Sequence, residues 1–139
     1  MASYVKFYPF IENAFEKVHN LGSDTLKVLL TNTAPNQTDG QKSQLTEISA
    51  GNGYTAGGTA ATITSSSQTS GTYKLVLADV VFTASGGSFG PFRYAVLYND
   101  TASNDELIAY WDYGSSITVD AGGTFTVDFD ASNGVLQAA

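Results

Sequence analysis

Apolar residues recur along this chain at two different periods, and the change of period marks a change of structure. Near the N-terminus, Ile11, Ala14, Phe15 and Val18 fall at i, i+3, i+4 and i+7, an apolar stripe at helical spacing. Pro9 suits a helix entrance, Glu12 and Glu16 favour the early turns, and Gly22 after Leu21 suits a stop. The spacing predicts one helix over residues 10–21. Strand signals follow. Leu26 to Leu30 is a short apolar run that reads as a strand buried on both faces. Thr72 to Thr83 alternates through Tyr73, Leu75 and Leu77, then resumes out of step at Val80 and Phe82, which places a break or bulge near Asp79. Phe92 to Tyr98 sets Phe92, Tyr94, Val96 and Tyr98 on one face and Arg93, Ala95 and Leu97 on the other. Leu107–Trp111, Ile117–Val119 and Phe125–Phe129 read as three further strands. The last points Phe125, Val127 and Phe129 inward and Thr124, Thr126, Asp128 and Asp130 outward.

Between the strands the pattern thins. Ala60 to Thr64 reads as a short strand, Ser65 to Gly71 as a flexible polar loop, and Ser85-Gly86-Gly87-Ser88 as a turn. Residues 32–58 form a long loop. It carries Pro35-Asn36, Asp39-Gly40, Gly51-Asn52-Gly53 and Gly57-Gly58, with only Leu45, Ile48 and Tyr54 reading as buried. A connection of that length in a small domain is usually functional or mobile. About eight strands and one helix predict a mainly β chain, an antiparallel β-sandwich or jelly roll with one short N-terminal helix, as a single domain over residues 1–139.

Composition agrees with that reading. The chain is 42% hydrophobic and only 14% charged, and Gly, Ser and Thr are plentiful, which fits short strands and turns better than a helical bundle. Eight Phe, eight Tyr and one Trp can bury enough surface to order the chain. The absence of cysteine excludes disulfides, thiolate zinc sites and cysteine nucleophiles. No stretch approaches the roughly 18 to 20 apolar residues of a membrane helix, and Met1 to Phe10 lacks the features of a signal peptide. The expectation is a soluble protein made in the cytoplasm, without membrane contact.

Charge is distributed unevenly. The formal charge is −7, and all of it falls in residues 94–139, which hold Asp100, Asp105, Glu106, Asp112, Asp120, Asp128 and Asp130 but no Lys or Arg. Such a segment repels phosphate backbones, so no nucleic-acid partner is expected. Two readings stay open: carboxylates that keep the chain soluble, or a patch that docks on a basic surface.

The chemistry-bearing residues are sparse. His19 is the only histidine, which argues against a transition-metal site, and no Gly-x-Ser-x-Gly elbow accompanies it. Asp128 with Asp130, and Asp100 with Asp105 and Glu106, lack the register of a calcium loop, and neither set reads as a buried glycosidase pair. The expectation is no catalytic residue, no cofactor and no metal. Tyr110, Trp111 and Tyr113 allow either a sugar-stacking platform or a core anchor with amphipathic neighbours. The aromatic segment 1–9, just ahead of the helix, is packed on its own sandwich or used on a neighbour. Tyr4, Phe7, Tyr8, Phe10 and Tyr54 are the candidates for partner contact.

Three stretches carry a family resemblance: Leu21-Gly22-Ser23-Asp24-Thr25-Leu26 with the strand that follows, Gly51-Asn52-Gly53-Tyr54-Thr55-Ala56-Gly57-Gly58, and the closing run from Leu107-Ile108-Ala109-Tyr110-Trp111-Asp112-Tyr113-Gly114 to Gly134-Val135-Leu136. Together they resemble small virion proteins of tailed bacteriophages, a group that includes head decoration (cement) and minor capsid proteins. The resemblance implies a non-enzymatic structural role on the outside of a phage head. It implies the major capsid protein and further copies of this chain, as dimer or trimer, for partners. The alternative is a carbohydrate-binding (adhesin) module associated with a tail or fibre.

Overall fold

A computed structural model describes residues 2–139, of which 48% are strand and 8% helical. Ten strands and one α-helix are found among the described residues. They are β1 (Ser3–Lys6), α1 (Tyr8–Phe15), β2 (Leu26–Thr31), β3 (Thr59–Ala61), β4 (Ile63–Thr69), β5 (Thr72–Leu77), β6 (Val80–Thr83), β7 (Phe89–Asn99), β8 (Leu107–Val119), β9 (Thr124–Val127) and β10 (Leu136–Ala138). Antiparallel pairing gives one large sheet in the order β1-β8-β7-β2-β3 and two small ones, β10-β5-β4 and β6-β9. Side chains from all three sheets meet in a single cluster that includes Leu26, Val28 and Leu30 of β2, with Leu75, Phe82, Phe92, Leu97, Ile108 and Val127. The molecule is an antiparallel β-sandwich.

The large sheet is buried on its other face as well. There Phe7, Leu29, Val96, Tyr98 and Leu107 form a second cluster, flanked by Leu45 and Tyr110. The long loop supplies the cover. Lys42 N–H donates to Asp105 O (3.1 Å), Leu107 N–H donates to Gly40 O (3.0 Å), and a 3₁₀ turn at Lys42–Gln44 leads Leu45 toward the cluster. The Lys42 ammonium lies 5.5 Å from the Tyr98 ring centre. Residues 40–45 therefore roof this face, whereas Glu47 and Ile48 pair with β2, and Ile48 and Tyr54 pack into the sandwich cluster.

Several expectations are corrected. The helix occupies Tyr8–Phe15, not residues 10–21, because Lys17 takes a left-handed backbone (φ 71°) that the helix cannot continue through. Residues 20–24 then close a separate turn, with Asn20 N–H donating to Asp24 Oδ2 (2.8 Å) and Asp24 N–H to Asn20 O (2.9 Å). Ser65 to Gly71 is not a loop. Ser65–Thr69 belongs to β4, and Ser70 (φ 51°) and Gly71 (φ 84°) form the two-residue turn to β5. Two consecutive positive φ angles match the strand twist in such a hairpin. The polar side chains show no apolar alternation because the strand is largely exposed and held by its backbone ladder. The two segments Leu107–Trp111 and Ile117–Val119 join in one 13-residue strand, β8.

The facing of β7 also differs. A register shift between Phe92 and Tyr94 moves Phe92 into the cluster of Ala95 and Leu97, while Val96 and Tyr98 belong to the cluster on the other side. An extra residue in a strand reverses the facing of everything beyond it. The break near Asp79 is present between β5 and β6, where Asp79 Oδ1 accepts from Phe129 N–H (2.9 Å).

Candidate interaction surface

The N-terminal segment divides its aromatic residues between the interior and solvent. β1 pairs with β8, Tyr4 opposite Trp111, and Phe7 N–H donates to Ile108 O (3.1 Å), which fixes the entry to α1. Phe7 and Phe10 are buried, and so is Tyr54; within this chain none of the three offers surface to a partner. Tyr4 and Tyr8 are exposed, at 42% and 64%.

Two apolar stripes run side by side on α1, offset by one residue. Phe7, Phe10 and Ala14 face the sandwich, whereas Tyr8, Ile11 and Phe15 face away from it. Both have the spacing i, i+3, i+7, so periodicity alone does not say which one is inside. The stripe of Ile11, Ala14, Phe15 and Val18 is therefore split: Ala14 packs against the core, whereas Phe15 is 86% exposed and Ile11 44%. Beside them, an apolar groove of about 140 Å³ runs between α1 and β10, lined by Phe10, Ile11, Phe15, Leu21 and Leu136 among others. Sequence reasoning did not single out Ile11 and Phe15 as large apolar side chains left exposed.

Tyr54 packs instead in the sandwich core, its ring centre 5.8 Å from Phe82 and 6.1 Å from Phe89. Its hydroxyl donates to Glu47 Oε2 (2.5 Å) and accepts from Leu30 N–H (3.1 Å), and the same Glu47 oxygen accepts from Gly57 N–H (2.6 Å). Tyr98 Oη–H donates to Gly57 O (2.6 Å), and Thr31 Oγ1–H to Thr46 O. Burial and the Glu47 carboxylate raise the Tyr54 hydroxyl well above its ordinary pKa, so it remains a donor. Gly58, at φ 80°, passes so close to the β2 backbone at Val28 that a side chain has no room there.

His19 lies in the turn after α1, not in the helix, and is buried among polar groups. Its Nδ1 accepts from Asn99 Nδ2 (2.9 Å), which also donates to Asp24 Oδ2 (2.7 Å), while Asn99 Oδ1 caps Thr101 and Ala102 N–H. The Phe10 ring lies 5.3 Å from the imidazole. His19 Nε2 and the Oε2 of nearby buried Glu106 have no partner among the described residues. Burial lowers the His19 pKa from its ordinary 6.5, against the opposing pull of Glu106 and Asp24. The cluster ties the turn after α1 to the end of β7. A cleft of about 640 Å³ opens beside it, lined by Lys17, His19, Asp24, Ser66, Tyr73 and Thr101 among others. Among the described residues, no nucleophile is hydrogen-bonded to the imidazole.

The acidic residues are dispersed. Arg93 Nε and Nη2 donate to Asp112 Oδ1 (2.8 Å) and Oδ2 (3.1 Å), and this fork holds the Asp112 carboxyl below the usual carboxylate range. Lys27 pairs with Asp100 at 3.4 Å. Asp130 caps the turn at Ser132 and Asn133, and these donors lower its pKa too. Among the described residues, no three acidic or imidazole side chains converge at metal-binding distance.

Tyr110, Trp111 and Tyr113 do not make one platform. Trp111 is packed in the core against Phe129 (5.3 Å between ring centres, T-shaped), Tyr113 lies 5.0 Å from Phe125, and Tyr110 lies on the opposite sheet face, 5.2 Å from Phe7. Among the described residues, no helix is long and apolar enough to cross a membrane. In comparisons with protein families, curated proteins and solved structures, nothing matches this chain.

Proposed function

We propose that the protein is a structural virion component, a capsid decoration (cement) protein that binds the outside of the major capsid lattice of a tailed-phage head. The observation that carries the reading is the outward stripe of α1. Tyr8, Ile11 and Phe15 are large apolar side chains held in solvent on a helix whose opposite face is locked into the sandwich. Exposed apolar residues grouped on a rigid element mark a contact surface. The resemblance described above supplies the particular partner, and dimers or trimers of this chain would multiply weak contacts by avidity.

The test is co-sedimentation of purified protein with expanded, undecorated capsids, with light scattering on the free protein to fix its oligomeric state. Stoichiometric binding to capsids is expected. Binding only to tails or to bacterial surface glycan would move the protein to the adhesin class. Deletion of residues 1–9 is unsuited as a control, because it removes β1 and buried Phe7 and so disrupts the fold.

A further inference from the structure

A cleft of about 230 Å³ opens beside the β1–β8 pairing, lined by Tyr4, Trp111, Phe129, Asp130, Gly134 and Val135. Its aromatic wall has three members. Tyr4 and Trp111 have ring centres 5.4 Å apart with planes inclined at 56°, and Trp111 and Phe129 are 5.3 Å apart at 61°. Trp111 and Phe129 meet edge to face and are buried, so the π face open to a ligand is that of Tyr4. Trp111 and Phe129 belong to the core and are fixed, whereas Tyr4 stands at the mouth, 42% exposed.

The charged member is Asp130. Its Oδ1 accepts from Ser132 and Asn133 N–H (2.8 Å each) and its Oδ2 from Asn133 Nδ2 (2.9 Å), so the carboxylate is held in place. The same donors keep it ionised well into the acidic range. Lys74 is the cation in its neighbourhood, and the ammonium there is engaged with Ser132 O at 3.1 Å.

We propose that this cleft is a binding site for a cationic side chain, an arginine or lysine presented by a partner protein. An exposed aromatic ring and a carboxylate lining one cleft attract a guanidinium or ammonium through both its charge and the ring quadrupole. The volume is below the roughly 300–1,000 Å³ of drug-sized pockets and suits a single side chain. A sugar ring is a poorer match. Its hydroxyls each need a partner, and the polar side-chain groups in the lining are the Asp130 carboxylate, already accepting three hydrogen bonds, the Tyr4 hydroxyl and the Trp111 indole N–H. The inference is independent of the capsid reading, since it specifies the chemistry of the contact and not the particle that bears it.

Trp111 is the only tryptophan, so its emission reports directly on the cleft. The full chain is titrated with N-acetyl-argininamide, N-acetyl-lysinamide and N-acetylglucosamine, at constant ionic strength and with sodium chloride as the blank. Both cationic probes are expected to give a saturable change, the arginine probe at the lower concentration, and the sugar none. Tyr4→Ala and Asp130→Asn are each expected to weaken the arginine response about fivefold, and Tyr4→Phe, which keeps the ring, to retain it. Melting curves recorded in parallel confirm that each variant is folded. A sugar response at lower concentration than the arginine response would overturn the proposal. So would an arginine response equal to the salt blank, or one indifferent to Tyr4→Ala and Asp130→Asn.

Discussion

Strands β7 and β4 lie in the same sandwich under opposite conditions. From Tyr94 to Asn99 every residue of β7 is buried, because the core lies on one side and Phe7 with the 40–45 roof on the other. In β4, Thr64, Ser65, Ser67, Gln68 and Thr69 are exposed, and the strand persists through its backbone ladder to β5. Side-chain identity therefore governs the first region and backbone pairing the second. A contact surface made from the first would require the roof to come off. The outward face of α1 requires no such opening.

The sharpest way to break this contrast is to cut a large side chain from β7. Phe92→Ala removes a fully buried ring in contact range of Phe89 and Phe125, and a loss of about 3–5 kcal/mol is expected in denaturant titration. Next comes the hydrogen-bonded end of the long loop. Tyr54→Phe removes the hydroxyl that joins Leu30 N–H to Glu47, leaving the buried Leu30 N–H without a partner while Glu47 keeps Gly57 N–H, and should cost about 1–3 kcal/mol. Hydrogen exchange is expected to quicken in residues 46–58 ahead of β2 itself.

A smaller effect follows from His19. The fold holds the imidazole neutral with its pKa below the ordinary 6.5, so the unfolded chain binds the additional proton first as pH falls. Stability is expected to be level above 6.5 and to decline as pH drops from 6.5 toward the lowered folded value. Equilibrium unfolding of His19→Gln should lack that decline. The smallest effect belongs to β4, where Ser67→Ala, at an exposed ladder position, should change stability by no more than about 0.5 kcal/mol. A cost comparable to that of Tyr54→Phe would erase the distinction between the two regions.

The sequence was legible where burial imposes a pattern. The strand at Leu26–Leu30, the alternation of Phe125, Val127 and Phe129, and the break at Asp79 are all visible from spacing, since the core selects those side chains. It was illegible where backbone geometry decides. The shift at Phe92 leaves no mark in composition, and nothing in the identity of Lys17 announces the φ of 71° that ends the helix. β4 escapes a reading by pattern because serine and glutamine can complete a ladder without facing a core. The burial of the aromatic residues around α1 was half legible. Aromatic density picks out the segment around α1, but two stripes of identical period compete there, and only tertiary packing turns Phe7 and Phe10 in and Ile11 and Phe15 out.

That last distinction is the most direct test of the proposed role. Binding isotherms on undecorated capsids would be measured for the parent chain and for an Ile11→Ser, Phe15→Ser double variant, each with its melting temperature. Both substituted side chains are exposed, so the melting temperature should stay close to the parent's, while capsid affinity should fall at least about tenfold. Unchanged affinity in the folded double variant would contradict the assignment of the outward α1 face as the docking surface.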